Sequence, residues 1–248
     1  MDEMQLFLEI HQNMPRQGPG NTASTLKALK LCAGLPSAPR VLDVGCGPGM
    51  QTMDLAQALD GPITGVDFFT QYVEELQKNI EKEGMADRVT AMQGDMEALF
   101  FPPASFDLIW SEGAIYIMGF EKGIHSWSPL LAPGGYLAVT EATWLKSEPP
   151  ARVKQFWDEG YPLMKNIEGN LDIIQACGGE IIGHFVLPES AWWDHYYGPL
   201  EKRLEILEEK WADNPAGQEV LAMERTEIDL FKNYSDYYGY VFYVARFG

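Results

Sequence analysis

The segment Val41-Leu42-Asp43-Val44-Gly45-Cys46-Gly47-Pro48-Gly49 limits what this chain can fold into more than any other stretch of its sequence. Residues of strand character run straight into a turn carrying glycine at alternate positions, and a helix-patterned stretch from Gln51 to Leu59 follows at once. Such a turn bends tightly and lets a ligand lie against the backbone with no Cβ in the way. A nucleotide-like ligand is implied. A dinucleotide-binding turn reads G-x-G-x-x-G and sets a pyrophosphate on the helix N-terminus. Here the third glycine arrives one place early and Met50 stands in its slot, which counts against a nicotinamide dinucleotide.

The surrounding pattern alternates in the same way. Strands are predicted at Arg40 to Val44, Ile63 to Val66, Val89 to Met92, Phe106 to Trp110 and Gly135 to Thr140. Helices are predicted at Gln51 to Leu59, Gln71 to Glu83 and through Gly119 to Leu131. Short apolar strands separated by amphipathic helices imply βαβ units and a parallel sheet covered on both faces. Ahead of them, Leu6, Phe7 and Ile10 lie at helical spacing between Met4 and Met14. Asn21 or Thr22 can cap a second helix carrying Leu26, Leu29 and Leu31. Past Glu141 the regularity loosens: Glu148-Pro149-Pro150 opens an aromatic-rich stretch, a helix is predicted near Asn170 to Cys177, and a strand from Ile181 to Leu187. A charged helical segment from Leu200 to Trp211 then precedes a last strand from Tyr237 to Arg246. The expected fold class is α/β, a Rossmann-like doubly wound sheet of about seven strands. One domain is expected over 1–248, with a core about 21–187 and 234–248, an N-terminal cap 1–20 and a helical, aromatic insertion about 188–233.

Composition narrows the partners. At 248 residues the chain suits one principal α/β domain, and its net charge of -18 repels phosphate backbones, so nucleic acid is not an expected partner. Cys32, Cys46 and Cys177 form no disulfide framework, which fits a reducing compartment. The N-terminal residues Met1-Asp2-Glu3 are acidic where a signal peptide carries bases, and no apolar run reaches membrane-spanning length. A cytoplasmic protein with no membrane partner is expected. His11, His125, His184 and His195 lack metal-ligand spacing, so no metal is predicted.

The second strand ends Gly65-Val66-Asp67-Phe68, about twenty residues past the glycine turn, a spacing that suits a carboxylate bonding both hydroxyls of a ribose with Phe68 against the base. After the third strand, Asp95 is positioned for the exocyclic amine of adenine, with Met96 as an adaptable apolar wall. Three strand ends then converge on one adenosine. Cys46, within the turn, reads as a small packing residue.

From about Arg40 to Glu141, these motifs in this order resemble the class I S-adenosylmethionine-dependent methyltransferases. The resemblance implies S-adenosyl-L-methionine as cofactor, held by Gly45, Cys46, Gly47, Gly49, Asp67, Phe68, Asp95 and Met96. Ser111 or Glu112 would hold its amino group, and Arg16 would face a carboxylate on the cofactor or the substrate. The same resemblance implies an antiparallel last strand. Strand Phe106 to Trp110 and the turn Leu131-Ala132-Pro133-Gly134-Gly135 match the family too. Arg16-Gln17-Gly18-Pro19-Gly20, Ile109 to Tyr116, Glu141-Ala142-Thr143-Trp144 and the aromatic tail are similar to a group of microbial small-molecule methyltransferases of unassigned substrate. Quinone-biosynthesis and sarcosine-type enzymes are similar in the cofactor half alone.

In open α/β sheets ligands bind beyond the carboxyl ends of the strands, so the acceptor is expected near Ser111, Glu112, Tyr116, Glu141 and Trp144. Methyl transfer is an in-line displacement that gains from alignment and exclusion of water. Where the acceptor must lose a proton, Glu141, Glu112 and His195 are the candidate catalytic groups. Trp192, His195, Tyr196 and Tyr237, with Tyr116 and Trp144, are the candidate acceptor-binding residues, and such rings favour cationic or planar molecules. Other transfers from the same cofactor, such as cyclopropane or aminopropyl chemistry, stay open, as do an NAD-dependent oxidoreductase and a cofactor-binding protein without turnover. Oligomeric state is not legible.

Overall fold

Alternation of strand and helix patterns builds the chain outward from the glycine turn, in a computed structural model that describes residues 3–248. The first two residues of the expected N-terminal cap, and the acidic Met1-Asp2 reading with them, lie outside the described residues. In chain order the elements are α1 (Glu3–Ile10), α2 (Thr22–Leu31), β1 (Val41–Val44), α3 (Met50–Ala58), β2 (Ile63–Asp67), α4 (Thr70–Lys82), β3 (Val89–Gln93), β4 (Phe106–Ser111), α5 (Phe120–Trp127) and β5 (Leu131–Trp144). Then come α6 (Ala151–Gly160), β6 (Lys165–Asn166), α7 (Ile167–Ala176), β7 (Gly179–Val186), α8 (Ser190–Trp192), α9 (Gly198–Lys210), α10 (Pro215–Tyr234) and β8 (Tyr238–Phe247).

The sheet has eight strands in the order β3-β2-β1-β4-β5-β8-β7, with β6 pairing β5 off that path. Strands β1 to β5 run parallel, and β8 enters antiparallel between β5 and β7. The antiparallel last strand is as the resemblance implied. Of the strands beyond the seven expected, the extra one is β6, two residues paired with Thr143 and Trp144, too short to leave a periodic signal. Nine of the ten β8 residues are buried, the mark of a strand covered on both faces.

Helix α4 shows how local pattern and packing agree: Tyr72, Leu76 and Ile80 recur every four residues and are the buried positions. At α2, Asn21 caps the helix by accepting from Ser24 N–H at 2.9 Å. Two helices were not individually placed by the sequence pattern, the second of them falling inside the expected helical insertion about 188–233. One is α6 after Pro150, and the other is α10, opened by Asn214 accepting from the Gly217 N–H and by Pro215 in its first turn. Helix α1 packs on α9 and α10, so the N-terminal segment and the region before the last strand meet. Strand order reverses between β1 and β4, and a crevice opens at the carboxyl ends of these two strands, as doubly wound sheets require. Among the described residues no helix is long and apolar enough to cross a membrane.

Candidate active site

The crevice begins at the glycine turn. Gly45, Gly47 and Gly49 have φ of +71°, +54° and +91°, a region that disfavours any Cβ. The three are not equivalent. A Cβ on Gly49 would stand 2.3 Å from Leu76 Cδ1 and one on Gly45 2.3 Å from Ala114 Cβ, so both are needed for packing. A Cβ on Gly47 would meet nothing nearer than Gln17 Cγ at 3.5 Å, and it would project into the cleft that Gly47 lines.

Asp67, at the end of β2, supports the turn from below. Its Oδ2 accepts from the Gly47 N–H at 2.8 Å and its Oδ1 from the Phe69 N–H at 3.0 Å. Burial pushes its carboxyl up, and these backbone donors pull it back. Phe68 stands 57 % exposed at the cleft wall, a ring with no protein partner over most of its surface. Met96 lines the same cleft. Asp95 is exposed outside the cleft lining, where its Oδ1 accepts from the Glu97 N–H at 2.8 Å and fixes the turn after β3. Cys46 lines the cleft but is almost wholly buried, and burial raises its thiol well above the ordinary range.

The N-terminal loop closes the top. Arg16 is 4 % exposed and its Nη2 donates to Glu112 Oε2 at 2.7 Å. Gly20 makes room for this guanidinium, since a Cβ there would lie 2.3 Å from Arg16 Nη2. Glu112 Oε1 accepts from Thr25 Oγ1 at 2.7 Å and from Trp110 Nε1 at 2.9 Å. Arg16 Nη1 is buried without a partner and the residue lines the cleft, so one strong donor is left for a ligand carboxylate. Gln17 straps the loop down, donating to the His11 carbonyl at 3.2 Å and accepting from the Tyr72 hydroxyl at 2.8 Å. Under this strap the cleft is about 120 Å³. Ser111 is fully buried beneath the floor, where its hydroxyl donates to the Val44 carbonyl at 2.8 Å and ties β4 to β1.

Beyond the strap lies a second cavity of about 530 Å³, which shares Gln17, Gly18, Gly113 and Tyr116 with the first. Trp192, Tyr196 and Tyr116, three of the candidate acceptor residues, line it. Tyr240, Tyr161, Trp157, Phe156 and Glu227 line it as well, and these were not singled out from sequence. Tyr240 stood inside the noted aromatic tail; Phe156 and Trp157 sit on α6, which the sequence pattern did not place, and Glu227 on α10, within the expected helical insertion but not singled out. Three expected acceptor residues lie elsewhere. Trp144 borders a depression with Lys146 and Glu148, Tyr237 lies under the Lys146 ammonium at 5.3 Å, and His195 is half-buried outside the cavity lining, close enough to Asp54 to act on its charge.

Glu141 is 1 % exposed on β5 with its Oε2 unpartnered. Burial pushes its carboxyl up to about 8, offset in part by the neighbouring Tyr161 hydroxyl. Asp43 in β1 is raised to about 7 by burial, with Thr52 Oγ1 donating to its Oδ2 at 2.6 Å. Among the described residues no group of three or more His, Cys, Asp or Glu side chains is arranged to hold a metal.

Against known proteins, residues 41–135 match the family model described as a methyltransferase domain. A sterol 24-C-methyltransferase of Gibberella zeae is 32% identical over 188 residues, covering 71% of this chain and 48% of that protein. The chain thus spans less than half the length of the curated sterol relatives it matches. Two solved structures of S-adenosylmethionine-dependent methyltransferases, each in complex with S-adenosylhomocysteine, superpose along nearly their whole length. The protein from Thiobacillus denitrificans has a TM-score of 0.83 at 20% identity, covering 99% of each chain. The one from Geobacter sulfurreducens has a TM-score of 0.82 at 21% identity, covering 97% of each. The chain has the class I methyltransferase fold. Within it, residues 41–135 are the part similar to the methyltransferase-domain family.

Proposed function

We propose that this chain is an enzyme that transfers a methyl group from S-adenosyl-L-methionine to a small-molecule acceptor, leaving S-adenosylhomocysteine. The observation that carries the reading is the junction of two cavities at Gln17, Gly18, Gly113 and Tyr116, one bordered by the glycine turn and Asp67, the other by aromatic rings. When bound, the cofactor supplies an electrophilic methyl on a sulfonium. The chain's own part is to hold both molecules in line across that junction and to keep water out.

The cofactor roles fall to the cleft residues. Gly47 offers bare backbone, Asp67 remains the acid for ribose hydroxyls, Phe68 and Met96 flank the base, and the spare Nη1 donor of Arg16 suits the carboxylate of the methionine part. Asp95 serves the adenine amine only if its turn rotates toward the cleft. Glu112 already accepts three hydrogen bonds, so its role is to hold Arg16 and the strap rather than to take a proton. Of the candidate bases, Glu141 is the one with a free carboxyl oxygen beside a cavity-lining hydroxyl, that of Tyr161. We assign proton removal to this pair. Three free cysteines fit a reducing, cytoplasmic setting.

The test is incubation with methyl-labelled cofactor and a metabolite extract, followed by mass spectrometry. Labelled small molecules are expected. Label only in protein or RNA would overturn the small-molecule acceptor.

A further inference from the structure

We propose that the acceptor is an organic cation, a protonated amine held through its ammonium by Glu227 and the surrounding aromatic rings, and methylated on that nitrogen. The inference rests on the methyltransferase reading and names the substrate class of the same site.

The cavity's chemistry is one-sided. Its walls are the rings of Tyr116, Phe156, Trp157, Trp192, Tyr196 and Tyr240, and its charged side chains are Glu159 and Glu227, with no Lys, Arg or His in the lining. A ring face is negative and attracts a cation, most strongly where water is excluded. Glu227 accepts from the Tyr197 hydroxyl at 2.8 Å, and one turn away on α10 Glu224 is 8 % exposed. Among the described residues neither Glu141, Glu224 nor Glu227 has a cationic partner within 4.0 Å. Isolated carboxylates are costly to bury, and burial raises all three of these, Glu224 and Glu141 to about 8. An arriving ammonium would relieve that cost. A carboxylate or phosphate ester would compound it.

A further sign of a ligand is Tyr161. It is 7 % exposed and lines the cavity, and its hydroxyl lies beside the Glu141 carboxyl. It stands between the cavity and Glu141, so once the charge of the bound ammonium has drawn Glu141 into its ionised form, a proton leaving the nitrogen has a route through this hydroxyl to that carboxylate. The step then balances. The ammonium gives one proton to Glu141, the nitrogen lone pair forms the N–CH₃ bond, and the S–CH₃ bond breaks with its electron pair going to sulfur. The products are the N-methylammonium and the neutral thioether, and Glu141 later releases the proton to water.

The experiment uses a probe that cannot be methylated. Phenyltrimethylammonium is titrated into the full chain saturated with S-adenosylhomocysteine, with the fluorescence of Trp157 and Trp192 as readout, beside neutral tert-butylbenzene and anionic benzoate. The cation is expected to bind at least about tenfold more tightly than either. Glu227→Gln should lower its affinity by about tenfold while S-adenosylhomocysteine affinity and the unfolding midpoint hold. Tyr240→Leu is a second variant, expected to weaken the cation more than the neutral probe. Equal or tighter binding of tert-butylbenzene or benzoate would overturn the inference. Failure of the chain to bind S-adenosylhomocysteine at all would instead remove the methyltransferase reading, and calorimetry registers that separately.

Discussion

Arg16 and Glu112, ninety-six positions apart in the chain, form a buried ion pair at 2.7 Å that pins the N-terminal loop over the carboxyl end of β4. Thr25 and Trp110 complete the carboxylate's bonding, so the pair closes both the roof of the cofactor cleft and one end of the strap that separates it from the acceptor cavity. Removing one member strands a charge. Arg16→Met should therefore destabilise the fold by about 3 kcal/mol, more than a surface ion pair would cost. Urea unfolding checks this. The double variant Arg16→Met with Glu112→Leu should cost less than the sum of the two single changes.

The glycine turn separates packing from binding. Gly49→Ala meets Leu76 at 2.3 Å and should mainly lower the unfolding midpoint. Gly47→Ala has open space on its side of the turn and should cost only about 1 kcal/mol for its left-handed backbone. Its methyl would occupy the cleft. Calorimetry with S-adenosylhomocysteine should thus show a larger affinity loss for Gly47→Ala than its stability loss accounts for.

Stability should fall as pH rises through the neutral range. The Glu141 carboxyl sits at about 8 in the folded chain against 4.5 for the free group, so between these values the folded state keeps a proton that the unfolded state has lost. The contribution is complete below the unfolded value and is lost toward the folded one, at about 1.4 kcal/mol per pH unit. Glu224 and Asp43 act in the same direction. Glu141→Gln cannot ionise, so the stability difference between variant and parent should move in the variant's favour from about pH 5 to about pH 8. Urea titrations at the two ends measure it.

Tyr161 should matter to turnover and not to cofactor binding. Tyr161 lines the acceptor cavity, with its hydroxyl beside Glu141. Tyr161→Phe is expected to lower kcat by about a hundredfold, as loss of a proton-transfer group does. S-adenosylhomocysteine affinity should stay at the parent value. Glu141→Gln should give the same split, and the two changes together should cost little more than either alone.

The cofactor half was legible because its signals are local. Glycines that require positive φ, an acid at the end of the next strand and the alternation of strand and helix are all written within short windows, from Val41 to Met96. The acceptor half was only partly legible. Trp192 and Tyr196 were singled out by aromatic density and Tyr116 by its place after the fourth strand, but Glu227, Trp157 and Tyr161 come together through long-range packing of α6 and α10 against the sheet, and no short spacing encodes it. Density also misled. Trp144 borders a different depression with Lys146, and Tyr237, just ahead of β8, lies under the Lys146 ammonium instead. Glu112 read as a reactive acid, and its three donors come from residues 16, 25 and 110, two of them far away in the chain.

The central claim is that the cleft at the glycine turn is an S-adenosylmethionine site. Isothermal titration of the full chain with S-adenosylhomocysteine, alongside NAD, tests it most directly. The account predicts saturable binding of S-adenosylhomocysteine, no measurable heat with NAD, and at least about tenfold weaker binding for Asp67→Asn, whose side chain supports the Gly47 N–H and faces the ribose position. Saturable binding of NAD with no binding of S-adenosylhomocysteine would contradict it.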